Sequence, residues 1–275
     1  MDRIWLITGA NSGFGRAFAE AAVAAGDTVV ATARRPEALA DLVAAHPGRV
    51  EALRLDVTER GAAADVVDQV AARHGRIDVL VNNAGRTHVG AAEETTDEEL
   101  RDLFELHFFG PAELVRAVLP HMRARRSGAI VQLSSLGGQL SFAGFSAYSA
   151  TKFALEGFSE ALAAEVAPLG VKVLVVEPGA FRTGLFGNAS MSAEIDDYRA
   201  TAGATRAMVN SGSGTQPGDP AKAAAAVLAA LDASETPLRL PLGDDAVDAV
   251  TAHLDSVRAE IAVWEKTARA TAFDA

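Results

Sequence analysis

Apolar and polar positions in this chain sort into two kinds of segment that alternate along its length. Short apolar runs fall at residues 4–8, 28–33, 50–55, 79–81, 129–133 and 171–176. Between them lie longer stretches of helical composition at 16–25, 37–45, 61–74 and 148–166. Two further helical stretches cover about 97–125, with Gly110-Pro111 between their apolar segments. A helix at 221–231, a short strand at 238–240 and a last helix at 246–268 complete the pattern. Gly26, His46-Pro47-Gly48 and Gly75 supply the stops. Continuously apolar strands separated by helices predict an α/β fold, a doubly wound parallel sheet with helices on both faces.

The punctuation has a bias. Gly9, Asp56, Asn83, Ser134-Ser135 and Pro178-Gly179 each fall at the C-terminal end of a predicted strand. In a doubly wound sheet that edge is where ligands bind. No repeat or linker divides the chain, so residues 1–275 read as one catalytic domain. Its least regular stretch, about 181–220, is rich in Gly, Ser, Thr and Asn and is expected to form a substrate-binding lid.

Composition narrows the function. With 275 residues, 49% hydrophobic and 22% charged, the chain can bury a sizeable core. Lys and Arg number 25 against 36 Asp and Glu, a net charge of -11, which argues against a broad grip on nucleic acid or anionic membrane. The absence of cysteine excludes disulfides, thiol nucleophiles and Cys metal sites, and fits a reducing compartment. Met1-Asp2-Arg3 leads directly into the first apolar run, leaving no room for a signal peptide. No apolar stretch approaches the ~20 residues of a membrane span. The expectation is a cytoplasmic protein.

Gly9, Gly13 and Gly15 lie between the first strand and first helix, where glycine permits a tight turn and close approach to a phosphate. The helix N-terminus adds free N–H groups and a favourable dipole. The spacing is Gly-x-x-x-Gly-x-Gly; taken alone it also fits an ordinary glycine-rich loop. Where an NAD site usually places an acid for the ribose 2′-hydroxyl, this chain has Ala33-Arg34-Arg35. Guanidinium groups suit a 2′-phosphate, so Arg34, and less directly Arg35, point to NADP(H) over NAD(H). The alternative is a solvated pair of charges.

Tyr148 and Lys152, four apart, share one face of a helix. A tyrosine titrates near ~10 when free, and a nearby ammonium lowers that value. Such a phenol can exchange a proton with a carbonyl or alcohol oxygen. Ser135, at the end of the fifth strand, can donate a hydrogen bond to the same oxygen.

These residues, with Thr8-Gly-Ala-Asn-Ser-Gly-Phe-Gly15, Asp56-Val57, Asn82-Asn-Ala-Gly85, Tyr148-Ser-Ala-Thr-Lys152 and Pro178-Gly-Ala-Phe-Arg-Thr183, resemble the short-chain dehydrogenase/reductase family in its common single-domain subgroup. The resemblance implies a Rossmann-like domain that interconverts a carbonyl and an alcohol on a small molecule. Tyr148 would be the acid/base, Lys152 would hold the nicotinamide ribose and depress the tyrosine pKa, and Ser135 would orient the substrate oxygen. Gly9, Asn11, Ser12, Gly13, Phe14 and Gly15 would form the phosphate turn. Asp56 and Val57 would flank the adenine, and Asn83, Ala84 and Gly85 would line the cleft. Pro178, Gly179, Phe181 and Thr183 would border the nicotinamide, while Asn82 would be structural. A homodimer or homotetramer built on the helices at about 104–125 and 148–166 is implied as well.

The pattern departs from the family at His107, where an asparagine is usual. It reads either as a substitute proton relay or as a buried histidine satisfied by backbone groups. The other histidines show no metal spacing. Leu140, Phe142, Phe145, Phe181, Leu185, Phe186 and Met191 are candidates for an apolar substrate pocket. A dinucleotide-binding sensor or scaffold with reduced catalysis is the competing reading, and the intact Tyr148, Lys152 and Ser135 argue against it.

Overall fold

The structure, a computed structural model, describes residues 2–273. Its centre is a parallel sheet of seven strands: β1 (Ile4–Ile7), β2 (Thr28–Ala33), β3 (Val50–Arg54), β4 (Val79–Asn82), β6 (Gly128–Leu133), β7 (Val171–Pro178) and β9 (Arg239–Leu242). The spatial order is β3-β2-β1-β4-β6-β7-β9. Strand order therefore reverses between β1 and β4, which pair directly through Trp5↔Val79 and Ile7↔Val81. A second, two-stranded sheet joins β5 (His88–Val89) to β8 (Ser190–Met191).

Alternate strand residues face opposite layers. Trp5, Ile7, Val29, Ala31, Val131 and Leu174 pack under α1 (Gly13–Ala24), α2 (Ala40–Ala45) and α8 (Pro220–Asp232). Leu6, Val30, Leu80, Ile130 and Val173 pack under α3 (Ala62–His74), α5 (Gly110–Arg125) and α6 (Ser146–Val166). Strands apolar at every position are thus buried on both faces, as the sequence predicts.

Several boundaries differ from expectation. The run at 37–45 splits into a 3-10 turn, Pro36–Leu39, and α2. Gly110-Pro111 does not interrupt the helices: α4 (Asp97–Phe104) continues through a π turn, Glu105–Phe109, into α5. Gly110 instead brings α5 against the loop after β3, since a Cβ there would strike the Val57 carbonyl oxygen. The irregular stretch at 181–220 contains α7 (Ala202–Gly212), hidden in the sequence by its Gly and Ser content. Asp244–Arg269 forms the long final helix α9. Among the described residues, no helix is long and apolar enough to cross a membrane.

Candidate active site

The C-terminal ends of the strands open into one cleft of about 1010 Å³ at the β1/β4 reversal. That is at the upper end of the range for small-ligand pockets, about 300–1,000 Å³. The glycine turn after β1 forms its floor. Gly9 (φ 62°) and Gly13 (φ 53°) adopt left-handed conformations that side chains resist. Gly15 lets the helix approach the turn closely, since a Cβ there would drive into the Gly9 carbonyl. The first backbone bond of α1 is Arg16 N–H to Ser12 O, 3.2 Å, which leaves the N–H groups of Gly13, Phe14 and Gly15 without acceptors in the helix. Asn11, Ser12 and Phe14 line the cleft beside them.

The turn is held by Thr8 and Asn83. The Thr8 hydroxyl accepts the N–H groups of Asn83 and Ala84, each at 2.9 Å. The Asn83 side-chain amide donates to the Thr8 carbonyl at 2.7 Å and to that of Gly9 at 3.1 Å. Asn83 therefore lines the cleft and also ties its two walls together. Asn82 is buried, donating to Gln132 Oε1 at 2.9 Å.

Arg34 and Arg35 follow β2 at the cleft rim, exposed to solvent. Among the described residues neither forms an ion pair, whereas Arg3, Arg16, Arg49, Arg54 and Arg73 all do. Asp56, Val57, Ala84 and Gly85 line the adjoining wall. Pro178, Gly179, Phe181 and Thr183 line the opposite one.

At the inner end the elements converge on Tyr148. Ser135, capping a short 3-10 turn, accepts the Gly137 N–H at 3.1 Å, and its hydroxyl acts on the neighbouring phenol to lower its pKa. Lys152, one helical turn on, donates to the Leu133 carbonyl at 2.8 Å, with Nζ 5.8 Å from the Tyr148 ring centroid. Burial pushes Lys152 down to about 8, partly opposed by the Glu156 carboxylate. The expected depression of the tyrosine by this ammonium is not found. Burial raises the Tyr148 pKa above 10, and the opposing effect comes from Ser135. The phenol is the protonated, acidic form.

His107 occupies the π turn between α4 and α5, a geometry frequent at functional sites. Its ring is edge-on to Tyr148, 5.6 Å between centroids. Thr151 donates its hydroxyl proton to the Tyr148 carbonyl at 2.7 Å, so it accepts from His107 Nδ1 at 2.9 Å. Nε2 then accepts the Arg86 N–H at 3.2 Å. Both nitrogens are engaged and the ring is neutral. Burial first, then Lys152 and Arg86, hold its pKa well below 6.5.

Of the apolar pocket candidates, Phe181, Leu185 and Phe186 line the cleft. Leu140, Phe142, Phe145 and Met191 do not; Phe142 is half-exposed, and Phe145 packs on Tyr148 with centroids 5.8 Å apart. Alternation with polar neighbours in an irregular loop gives no sign of which way such rings turn. Sequence reasoning missed Arg86, which lines the cleft beside His107. It also missed a buried carboxyl pair behind Lys152. Glu177 is pushed up to about 7 by burial and by Glu156, with Gln139 donating to Glu177 at 2.9 Å. These residues lie far apart in sequence, and no spacing announces them.

A glycine cradle with free N–H groups, basic residues at its rim and a half-buried Ser135 beside buried Tyr148 and Lys152 fit a dinucleotide-binding α/β oxidoreductase. A sequence profile described as short chain dehydrogenase matches residues 3–194. The chain is 39% identical over 274 residues to the oxidoreductase BOA17 of Botryotinia fuckeliana, covering 99% of this chain and 100% of that one. It is 42% identical over 199 residues to 3-ketodihydrosphingosine reductase of Bacteroides thetaiotaomicron, 71% of each. A crystal structure of a short-chain dehydrogenase from Streptomyces avermitilis matches with TM-score 0.94 at 66% identity, over 98% of both chains. Other structures of this fold were solved with NAD or NADP. The chain belongs to the short-chain dehydrogenase/reductase family, enzymes that act on CH–OH and C=O groups with a nicotinamide dinucleotide.

Proposed function

We propose that this enzyme is an NADP(H)-dependent carbonyl reductase or alcohol dehydrogenase acting on an apolar small molecule, with Tyr148 as its acid/base. The observation that carries the reading is the convergence of a protonated, buried Tyr148 with Ser135 and Lys152 at the inner end of the cleft whose rim bears Arg34 and Arg35. The free N–H groups of Gly13, Phe14 and Gly15 would hold the dinucleotide's phosphates, and Arg34 its 2′-phosphate. When bound, the nicotinamide supplies the hydride acceptor or donor. Lys152 would hold the nicotinamide ribose. Ser135 donates a hydrogen bond to the substrate oxygen, and Tyr148 gives that oxygen its proton in reduction or takes it in oxidation. With the phenol pKa raised, the proton is present throughout the neutral range for reduction; oxidation needs phenolate and is favoured as pH rises.

His107 acts as a positioning residue: it fixes Thr151, and through it the Tyr148 backbone, without taking up a proton. Residues 181–220 form the lid, with Phe181, Leu185 and Phe186 as its apolar lining. The Bacteroides relative is named for a keto substrate, the class proposed here. The protein works in the cytoplasm as a homodimer or homotetramer. Half-exposed Phe109 and Phe153, flanking α5 and on α6, provide an apolar face for that assembly.

Cofactor choice is tested by fluorescence titration of NADPH and NADH. The wild type should bind NADPH more tightly. Arg34→Leu, losing a charge-assisted bond of ~1.5–3 kcal/mol, should weaken NADPH roughly 10- to 100-fold and leave NADH nearly unchanged. A wild type that prefers NADH overturns the assignment of Arg34.

A further inference from the structure

Helix α9 leaves the body of the protein halfway along its length. Ala246 and Val250 are buried against it, but every residue from 254 to 273 is exposed. The free part, 254–269, is 16 residues, about 24 Å at 1.5 Å per residue. A helix of that length has marginal stability in water, and an apolar face usually needs packing. Such a face is present. Leu254, Val257, Ile261, Trp264 and Ala268 are spaced 3, 4, 3 and 4 apart, the a/d repeat of a coiled coil. The stripe continues the line of Val247 and Val250 without a change of phase. Leu254 is 52% exposed, Ile261 63% and Trp264 66%. The only other tryptophan, Trp5, is fully buried.

We infer that this stripe docks against the same stripe of a second copy of the chain, the two helices running antiparallel. Two observations select that occupant. A strict 3-4 spacing is complementary to a helix with the same spacing, which a copy of α9 provides. The free segment carries three acidic residues (Asp255, Glu260, Glu265) and three basic ones (Arg258, Lys266, Arg269), whereas the whole chain is at -11. Self-association through it therefore avoids the repulsion that the rest of the surface imposes.

The flanking charges set direction. Arg258 and Glu265 line one edge of the stripe, and His253 and Glu260 the other. A parallel pair would bring Glu260 beside Glu265, and His253 beside Arg258. An antiparallel pair centred between Ile261 and Trp264 brings Arg258 of each copy beside Glu265 of the other, and Glu260 beside Thr267. It also layers Ile261 on Trp264 and Val257 on Ala268, large against small. Within one helix Glu265 already bonds Arg269 at 2.8 Å, so Arg258 would join an existing ion pair. This contact is separate from any formed by α5 and α6.

The test uses the 275-residue chain, which has no cysteine. Sedimentation over a concentration series should show an assembly that Ile261→Glu/Trp264→Glu reduces to half its mass or weakens at least tenfold, with turnover and melting temperature of the body retained. In the wild type, acrylamide quenching of Trp264 should decline as the assembly forms. Ile261→Cys should cross-link to its counterpart on oxidation. Leu254→Cys should not, because the antiparallel pair holds those positions about 25 Å apart along the axis. Unchanged mass in the double variant, with Trp264 open to quencher at all concentrations, would assign the stripe to a different partner and overturn the proposal. Efficient cross-linking of Leu254→Cys would overturn the antiparallel arrangement.

Discussion

His107 is read through its hydrogen-bond partners. The sequence left two roles open, because imidazole can relay protons or fill a polar niche. Its partners favour the positioning role by proton counting: Thr151 gives its proton to a carbonyl, so Nδ1 donates and Nε2 accepts from Arg86. A second proton at Nε2 would face an N–H group. The folded-state pKa is depressed below 6.5 while the unfolded chain titrates near it, so stability from this group is present above ~6.5 and lost as pH falls. The pH–rate profile of the wild type should therefore lack an acid limb due to His107, and His107→Asn should leave its shape unchanged. His107→Leu leaves the Arg86 N–H and the Thr151 oxygen unpaired, and should lower stability by roughly 1–3 kcal/mol per buried group. A limb near 6.5 that vanishes in the Asn variant would restore the relay. Tyr148 and Lys152 were legible from their spacing, but the sign of the tyrosine's pKa shift was not, because burial depends on His107 of the π turn and on Phe145 and Gly137 packing against the ring.

At the scale of elements, the strands and main helices followed from periodicity, since burial on both sheet faces leaves runs without polar interruption. The π turn did not, because one extra residue in a helical turn alters no composition. Nor did α7, whose anchoring lies elsewhere in the chain. Arg206 of α7 donates to Glu94 Oε2 at 2.7 Å and to the Ser192 carbonyl at 2.8 Å, in a site from which both side chains are almost excluded from solvent. Backbone N–H groups of Ile195 and Ala91, with Arg206, hold Glu94 down at about 2. His88, between Ser190 and Ser192 at 2.9 Å each, adds a second clasp. Arg206→Leu strands the Glu94 carboxylate, and breaking such a pair costs about 3–5 kcal/mol. Thermal unfolding of that variant should show a loss of this size, and Arg206→Leu/Glu94→Gln should recover part of it. A melting temperature equal to wild type would mean that the pair does not fasten α7.

For the whole molecule, strand order decides where chemistry can occur. The reversal between β1 and β4 parts the connecting loops, and the residues brought to that gap come from stretches more than a hundred positions apart. Gly9 and Gly13 floor it, Arg34 and Arg35 edge it, and Tyr148 closes its inner end. Punctuation at strand ends made this edge legible in advance. The direction of each loop side chain was not legible, so Phe142 and Met191 were expected in a pocket they do not line.

Proton transfer by Tyr148 in an NADPH-linked interconversion of carbonyl and alcohol is the step on which the proposed function rests. Its most direct measurement is NADPH oxidation across a panel of aldehydes and ketones by wild type and Tyr148→Phe, with cofactor affinity measured in parallel. The wild type should turn over at least one apolar carbonyl compound. The variant should bind NADPH normally and lose turnover by at least the ~10²–10⁴-fold typical of general acid catalysis. Near-normal turnover in Tyr148→Phe would remove Tyr148 from the mechanism.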